Sequence, residues 1–456
     1  MDKHSNDVKK LIEKVSGLNK IEPSLYDKYS VKRGLRNADG TGVVAGITNI
    51  CNVHGYVLDE GEKRAIDGKL IYRGIDINDI INNTTDKGRY GFEETAYLLL
   101  FGNLPTKPEF EEFDELLSNF RVLPPGFSED MIFKAPSKNI MNKMVRSVAA
   151  LYSYEDDPED MSVEKELLRA VSIIARLPSI MVDSYQVKRR IYDRESLYMH
   201  PSIPEESVAE SILSTLRADR SYTKEEALLL DLCLILHAEH GGGNNSTFVC
   251  RCLTSSGTDA YSAYSGAIGS LKGPRHGGAN AKVMAQLSEF KEALDGGVAG
   301  NNASYSDEAV REQIAKVLRK EAGDGSGLIY GMGHAVYTVS DPRAKALKKH
   351  AVKLAKGTRF ETDFALLDAI ERLTPEVFAE VRKDSKAMCA NVDMYSGLVY
   401  SMLDIPPELF TPLFAVSRIT GWASHRIEEL LTGKRIIRPA YKAIAAPREY
   451  IPEKDR

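Results

Sequence analysis

The 456-residue sequence has few cysteines, few structure breakers and no excess of positive charge. Its five cysteines include no Cys-x-x-Cys spacing, which disfavours a disulfide scaffold or a structural zinc site and fits a reducing compartment. The 34 glycines and 19 prolines are too few for a collagen-like or low-complexity chain. The net charge of −5 disfavours nucleic acid as the main partner, because a phosphate-binding domain would be basic.

Long hydrophobic runs are also missing. The most apolar stretch, residues 227–236, is interrupted by Asp231 and is far shorter than the roughly 18 residues that span a membrane. The first residues mix both signs of charge without an apolar segment, so we expect no secretory signal and a cytoplasmic protein. The 43% of hydrophobic and 27% of charged residues exclude a disordered chain and predict a sizeable core.

Helical patterns dominate the chain after its first quarter. Residues 92–102 begin with acids and end in glycine, which is typical of a helix with a glycine C-cap. Thr223 and Glu226 match a capping box, and the helix that they start is expected to run to about His240 and to be buried on nearly every face. A further helix is predicted over 412–431. The predicted class is therefore mainly α.

The N-terminal part differs from the rest. Residues 42–58 and 65–75 are rich in β-branched residues and glycine, which predicts a few short strands. Residues 1–40 are polar and charged and are expected to form a frayed helical segment.

Glycine-rich segments indicate mobile joints between domains. One such piece covers residues 295–307, and boundaries are expected near 273–280 and near 391–397. The predicted domains are a large helical domain made of residues 1–277 and 396–456, and a small domain of residues 278–395.

Three histidines lie beside glycines. His240 is followed by three glycines, His276 precedes two glycines, and His334 lies in a glycine-rich turn. Glycines let a ligand approach the backbone closely and free N–H groups to bind anions or oxygens. Three such settings favour a shared binding site over three structural core histidines.

A metal site is the alternative for two of the histidines. His237 and His240 are three residues apart, which can place both on one helix face. The segment HAEH, however, lacks the spacing of the HExxH zinc motif, and a buried His237 can simply be packed or hydrogen-bonded, which disfavours a metal site.

Acidic and basic residues complete the candidate chemistry. Asp393 lies between valine and methionine and near Asn391. Apolar neighbours raise the proton affinity of a carboxylate, which makes Asp393 a candidate general base. Arg418 in an apolar helical stretch needs an anionic partner, and its planar fork suits a carboxylate. With Arg343 and with Arg438, in a strand-like segment, these residues indicate a site for a small polycarboxylate.

Taken together, these segments resemble the citrate synthase family over roughly residues 40–445. No single segment is decisive, but their joint occurrence in this order is specific. The segments are YRGIDI (72–77), FEETAYLLLFGNLPT (92–106), HAEHGGGNNSTF (237–248), LKGPRHGGAN (271–280), GMGHAVYTVSDPRA (331–344), NVDMYSG (391–397), LFAVSRITGW (413–422) and IIRP (436–439).

The resemblance implies a fold and a reaction. It implies a mainly helical homodimer in which a smaller inserted domain closes over the substrates. The family condenses acetyl-CoA with oxaloacetate and hydrolyses the citryl-CoA intermediate, a step of the tricarboxylic acid cycle that needs no metal and no cofactor beyond its co-substrate. His276 matches the donor to the thioester oxygen, Asp393 the base that takes the methyl proton, and His334 the group that polarises the oxaloacetate carbonyl.

The resemblance also implies binding residues. His240, Arg343 and Arg418 match substrate-binding residues, and Arg438 matches an arginine that crosses the dimer interface. Asn391, next to the base, is assigned to binding of the coenzyme.

The sequence departs from the family in several places, two of which concern ligand contacts, and it leaves alternatives open. Ala335 stands where many bacterial members have arginine, which puts one contact to the coenzyme A phosphates in doubt. Residues 135–141 lack a histidine that the family carries there. The alternatives are a 2-methylcitrate synthase that uses propionyl-CoA, a non-catalytic ligand-binding relative, and a metal-dependent hydrolase.

Overall fold

The computed structural model describes most of the chain, namely residues 9, 12, 13, 15, 20–37, 40–59, 62–295, 305–383 and 387–455. Most of the described residues are helical, which confirms the predicted class. Within these ranges no helix has the length and apolar composition that a membrane crossing requires. Most of the predicted glycine-rich joint, residues 296–304, lies outside the described residues.

Sixteen α-helices are found among the described residues. They are α1 Ser24–Lys28, α2 Ile77–Asn83, α3 Phe92–Phe101, α4 Lys107–Phe120, α5 Ile140–Ala150, α6 Val163–Lys188, α7 Val208–Leu216, α8 Lys224–His237, α9 Asn245–Thr254, α10 Ala260–Leu271, α11 Ala279–Leu294, α12 Asp307–Leu318, α13 Pro342–Ala355, α14 Glu361–Arg382, α15 Asp393–Met402 and α16 Phe410–Thr432.

Two compact units can be distinguished by their internal contacts. One is residues 48–436, which hold the sheet and fifteen of the described helices. The other consists of residues 1–47 and 437–456, and within it the Lys442 ammonium lies 5.5 Å from the centre of the Tyr29 ring. The boundaries of these two units differ from the predicted domain boundaries at residues 277 and 395. The division into a large and a small domain therefore stays a prediction.

The strands form one small antiparallel sheet in the order β1 Cys51–Asp59, β2 Glu62–Tyr72 and β3 Ile75–Asp76. The predicted N-terminal strands are confirmed, but the first begins at Cys51, nine residues into the segment 42–58. Val44 and Ile47 are about nine-tenths exposed. β-Branched residues favour a strand only where a neighbouring strand and a packed face receive them.

Two glycines of this sheet let another segment pack directly on it. A Cβ atom at Gly55 would lie 2.6 Å from the carbonyl oxygen of Val336, and one at Gly68 would lie 2.1 Å from that of Ser340. The backbone N–H of Gly68 donates to the Ser340 carbonyl at 3.1 Å. The sheet thus fixes the segment that follows His334.

The core helices α8 and α16 begin close to where the sequence predicts. Thr223 and Glu226 form the predicted capping box, and α8 is buried along most of its length. The prediction that this helix reaches His240 is wrong, because it ends at His237. Gly241 has a φ of 87°, a left-handed conformation that turns the chain away from the helix axis. Helix α16 packs against α3, α6, α8, α9 and α10.

Helices α11 to α15 pack mainly on one another. Helix α13 also contacts α8, α2 and β2, so its N-terminus lies near the sheet and the core. Asp341 caps this N-terminus by accepting from the Arg343 backbone N–H, and Pro342 occupies the first helical position.

Candidate active site

Two of the three glycine-flanked histidines meet face to edge. The ring centres of His240 and His334 are 5.1 Å apart, and Tyr337 stacks on His334 at 4.6 Å. Burial, together with the positive charge of Arg418, lowers the pKa of both His240 and His276. All three histidines therefore lie in one electrostatic neighbourhood.

His334 is held in one tautomer by its own loop. Its Nδ1 accepts from the backbone N–H groups of Val336 at 3.1 Å and of Tyr337 at 3.0 Å. Burial lowers the pKa of His334 to about 4, so the ring is neutral at ordinary pH. The ring proton is therefore on Nε2, which can donate to a carbonyl oxygen.

His276 is held in the opposite tautomer. Its Nε2 accepts from the backbone N–H of Ser246 at 3.3 Å and lies 3.0 Å from the hydroxyl of the same residue. The Ser246 hydroxyl is itself fixed, since the Trp422 indole donates to it at 3.1 Å. Burial lowers the pKa of His276 to about 4. The neutral ring thus carries its proton on Nδ1.

Arg343 is buried at the start of α13 and is paired within its own turn. Asp341 accepts from Nε at 3.0 Å and from Nη2 at 2.7 Å. Burial works to lower the pKa of Arg343, but Asp341 overrides it and holds the pKa above the ordinary value. The guanidinium is therefore fixed in orientation and permanently charged.

Arg418 on α16 is fully buried and incompletely paired. Its Nε donates to the His237 carbonyl at 2.6 Å. Both Nη1 and Nη2 are buried and meet no hydrogen-bond acceptor among the described residues. A buried guanidinium with an empty edge is costly unless an anion completes it, and a carboxylate matches that edge.

Asp393 is the first residue of α15 and lies in the same neighbourhood. Burial raises the pKa of Asp393 to about 6, and Asp341 adds to this effect. Arg343 and Arg418 oppose it, so both arginines are close enough to act on this carboxyl. The side chain is thereby poised to exchange a proton near neutral pH.

Asn391 links the Asp393 turn to the His334 loop. Its side-chain amide donates to the Gly333 carbonyl at 2.8 Å, and its Oδ1 accepts from the backbone N–H of Asp393 at 3.0 Å. These contacts join the segment that carries His334 to the one that carries Asp393. The assignment of Asn391 to coenzyme binding stays a prediction.

The metal alternative finds little support in the geometry. His237 packs its ring on Phe414 at 4.3 Å, whereas His240 lies beyond the helix end against His334. Among the described residues, no three histidine, cysteine, aspartate or glutamate side chains are grouped to hold a metal ion. Whether the reaction needs a metal or another cofactor stays a prediction.

Arg438 belongs to the unit made of residues 1–47 and 437–456, and its side chain is exposed. The predicted strand around it is absent, since residues 433–452 form no helix or strand. The predicted role across a dimer interface is not tested by these contacts.

Several residues that position the site were not predicted from the sequence. Asp341 could have been found, because an acid followed by proline is a helix-start pattern two residues before Arg343. The others are also held by partners distant in the chain, and no local pattern indicates those contacts. They are Tyr337, Ser246, Glu239 and His425.

Known proteins are similar to this chain in both sequence and structure. A sequence profile described as "Citrate synthase, C-terminal domain" matches residues 37–440. A citrate synthase from Synechocystis sp. is 33% identical over 422 residues, 91% of each chain. A 2-methylcitrate synthase from Shewanella oneidensis is 30% identical over 85% of this chain and 92% of its own. A citrate synthase from Thermoplasma acidophilum, solved with carboxymethyl coenzyme A and oxaloacetate, superposes with a TM-score of 0.74 at 28% identity, covering 93% of this chain and 99% of that one.

Proposed function

The chain belongs to the citrate synthase family and is an acyltransferase of that family, and we propose that Asp393, His276 and His334 carry out its condensation of acetyl-CoA with oxaloacetate. The observation that carries this proposal is Arg418, whose buried and unpaired Nη edge requires a carboxylate. Arg343 and His240 complete the proposed binding site for the keto acid.

The first step forms an enol or enolate from the thioester. The Asp393 carboxylate takes a proton from the methyl group, while His276 Nδ1–H donates to the thioester oxygen, on which negative charge develops. Such a donor is typically worth about 3–4 kcal/mol in the transition state. Neutral His276 can fill this role because Ser246 fixes its tautomer.

The second step forms the carbon–carbon bond. His334 Nε2–H donates to the keto oxygen of oxaloacetate, and the enol carbon attacks the polarised carbonyl carbon to give citryl-CoA. Water then replaces the coenzyme A thiolate at the thioester carbon, which releases citrate and coenzyme A.

An assay of free thiol with oxaloacetate and either acyl-CoA tests the proposal. We expect acetyl-CoA to be preferred, and one additional methylene changes kcat/KM by roughly 10–200-fold when a pocket rejects it. The 2-methylcitrate synthase from Shewanella oneidensis is the reason to test propionyl-CoA. A preference for propionyl-CoA would reverse the substrate assignment, and absence of thiol release with both would contradict the proposal.

The pH dependence of the reaction is expected to report Asp393. Since the base must be ionised and its pKa is about 6, kcat/KM for acetyl-CoA should fall tenfold per unit below pH 6. His276 and His334 have pKa values of about 4, so both rings stay neutral over most of the pH range in which the rate falls. Initial rates between pH 5 and 9 check this, and a plateau that extends down to pH 5 would contradict it.

We further propose that residues 278–395 close over the keto acid. Arg343 on α13 and Arg418 on α16 would hold the same ligand, which favours the closed arrangement. Oxaloacetate is therefore expected to slow amide hydrogen exchange in α13, measured by mass spectrometry with acetate as the control anion. Equal exchange with and without oxaloacetate would count against closure.

We propose that the active form is a cytoplasmic homodimer in which Arg438 serves the partner's site. Asp393→Asn would spoil its own site and Arg438→Ala its neighbour's. In a mixed dimer one site carries both defects and the other none, so activity should return to up to about half of the sites, by two-fold symmetry. Mass spectrometry must show that mixed dimers form. Mixed dimers as inactive as both parents would contradict a role across the interface.

A further inference from the structure

A buried row of charged side chains lies behind the proposed keto acid site. Glu239, which immediately precedes His240, is fully buried, and its Oε1 lies 3.1 Å from His425 Nε2. His425 is fully buried on α16, and its Nδ1 lies 2.8 Å from Nη1 of Arg251. Arg251 in turn binds Glu428 at 2.9 Å. The proposed reaction uses none of these groups directly.

Arg251 determines which ring nitrogen of His425 carries the proton. A guanidinium can only donate, so His425 Nδ1 accepts from Arg251 and carries no proton. The remaining proton is on Nε2, where it is donated to the Glu239 carboxylate. The row therefore holds the Glu239 carboxylate beside the turn that carries His240.

Glu239 connects two elements that carry the proposed binding residues. Its Oε1 also accepts from the backbone N–H of Gly241, which shapes the turn that holds His240. Its Oε2 lies against α16, where a Cβ atom at Gly421 would approach it to 2.0 Å. Arg418 lies one turn earlier on the same helix.

The charges of Glu239 and Arg418 act on each other. Burial alone would raise the pKa of Glu239, but the His425 ring and Arg418 hold it below the ordinary value. Burial lowers the pKa of Arg418, and Glu239 works against that effect. Asp341 is paired with Arg343, and among the neighbouring acids Glu239 has the largest electrostatic effect on Arg418.

We propose that Glu239, held by His425, is a positioning residue for the keto acid: it fixes the turn that carries His240 and draws the Arg418 guanidinium into the orientation that receives the ligand carboxylate. This inference rests on the proposed function, because it takes Arg418 and His240 as the keto acid site.

The isosteric variant Glu239→Gln keeps the volume and removes the charge. We expect its KM for oxaloacetate to rise at least about tenfold, because charge-assisted hydrogen bonds at the ligand weaken. Its KM for acetyl-CoA should stay within about twofold, since His276 and Asp393 are not held by this row. Steady-state kinetics with each substrate varied in turn measures both values.

A pair of substitutions at His425 separates positioning from packing. Glutamine can accept from Arg251 and donate to Glu239, so His425→Gln is expected to keep the KM for oxaloacetate within about threefold of the unaltered enzyme. Leucine fills similar space but makes neither bond, so His425→Leu is expected to reproduce the effect of Glu239→Gln. Equal KM values for the two variants would overturn the inference, and this comparison remains available if Glu239→Gln does not fold.

The neighbouring position on α16 supplies the matched control. Arg426 forms a buried pair with Glu166, with Nε and Nη2 at 2.6 and 2.9 Å from its carboxylate oxygens. Glu166→Gln should lower the unfolding temperature but leave the KM for oxaloacetate unchanged. A rise in KM as large as that of Glu239→Gln would overturn the inference, because any buried charge would then have the same effect.

A variant of Arg418 distinguishes the inference from the proposed function. If Arg418→Lys leaves the KM for oxaloacetate unchanged, the proposed keto acid site is wrong, and the inference falls with it. If Arg418→Lys raises this KM and Glu239→Gln does not, the proposed function stands and the positioning role of Glu239 alone is rejected.

Discussion

Replacing Asp393 with asparagine is expected to lower the rate of condensation by at least about 10²-fold. A positioned general base contributes typically ~10²–10⁴-fold, and asparagine keeps the shape of the side chain but cannot take the methyl proton. Oxaloacetate does not need this carboxylate, so its dissociation constant should stay within about twofold. Thiol release measures turnover, and isothermal titration calorimetry measures keto acid binding.

The same substitution is not expected to destabilise the protein. The pKa of Asp393 in the folded protein, about 6, lies above its ordinary value of 3.8, so the ionised form costs stability above pH 6. The unfolding temperature at pH 8 should therefore be equal or higher. Asp404→Asn, at an exposed position just after α15, is the control and should change neither property. Turnover above half of the unaltered value would exclude Asp393 as the base.

Replacing Arg418 with lysine is expected to raise the KM for oxaloacetate by about 10²-fold. Lysine keeps one positive charge but loses the two parallel N–H donors that match a carboxylate. Hydrogen bonds to charged groups contribute about 1.5–3 kcal/mol each, so loss of one or two corresponds to roughly 10–10⁴-fold in affinity. The KM for acetyl-CoA should change much less, because the arginine edge is assigned to the keto acid.

Arg426→Lys, on the same helix and equally buried, is the control for this prediction. Its guanidinium is already paired with Glu166 inside the protein, so its loss should lower the unfolding temperature without changing either KM. An Arg418→Lys enzyme with an unaltered KM for oxaloacetate would mean that the keto acid carboxylates bind elsewhere.

Local patterns in the sequence were enough to predict helices α3, α8 and α16, but not the helices that begin beside Arg343 and at Asp393. The capping box at Thr223 and the glycine after α3 act within one turn, so they can be identified from a few neighbouring residues. Arg418 could also be identified from its neighbours in the sequence, because an arginine in an apolar helical stretch implies a buried charge and an anionic partner.

Residues that act through distant partners could not be predicted in this way. Ser246 fixes His276 from 30 residues away, and His425 reaches Glu239 across 186 residues. The end of α8 was missed for the same reason, since the turn at Gly241 is held by the carboxylate of Glu239 and that carboxylate by α16. Such contacts depend on tertiary packing, about which periodicity and spacing contain no information.

The unpaired atoms of the site also bear on how long the protein persists in a cell. Arg418 Nη1 and Nη2, His240 Nε2 and Glu239 Oε2 are buried without a partner in the described part of the chain. A keto acid that satisfies the arginine binds only the folded state, and a ligand at 100 times its dissociation constant adds about 2.7 kcal/mol to the free energy of unfolding. Proteases that act on transiently unfolded chains would therefore degrade the enzyme faster when the keto acid is scarce. The abundance of the enzyme would then follow the supply of its own substrate without any dedicated regulator.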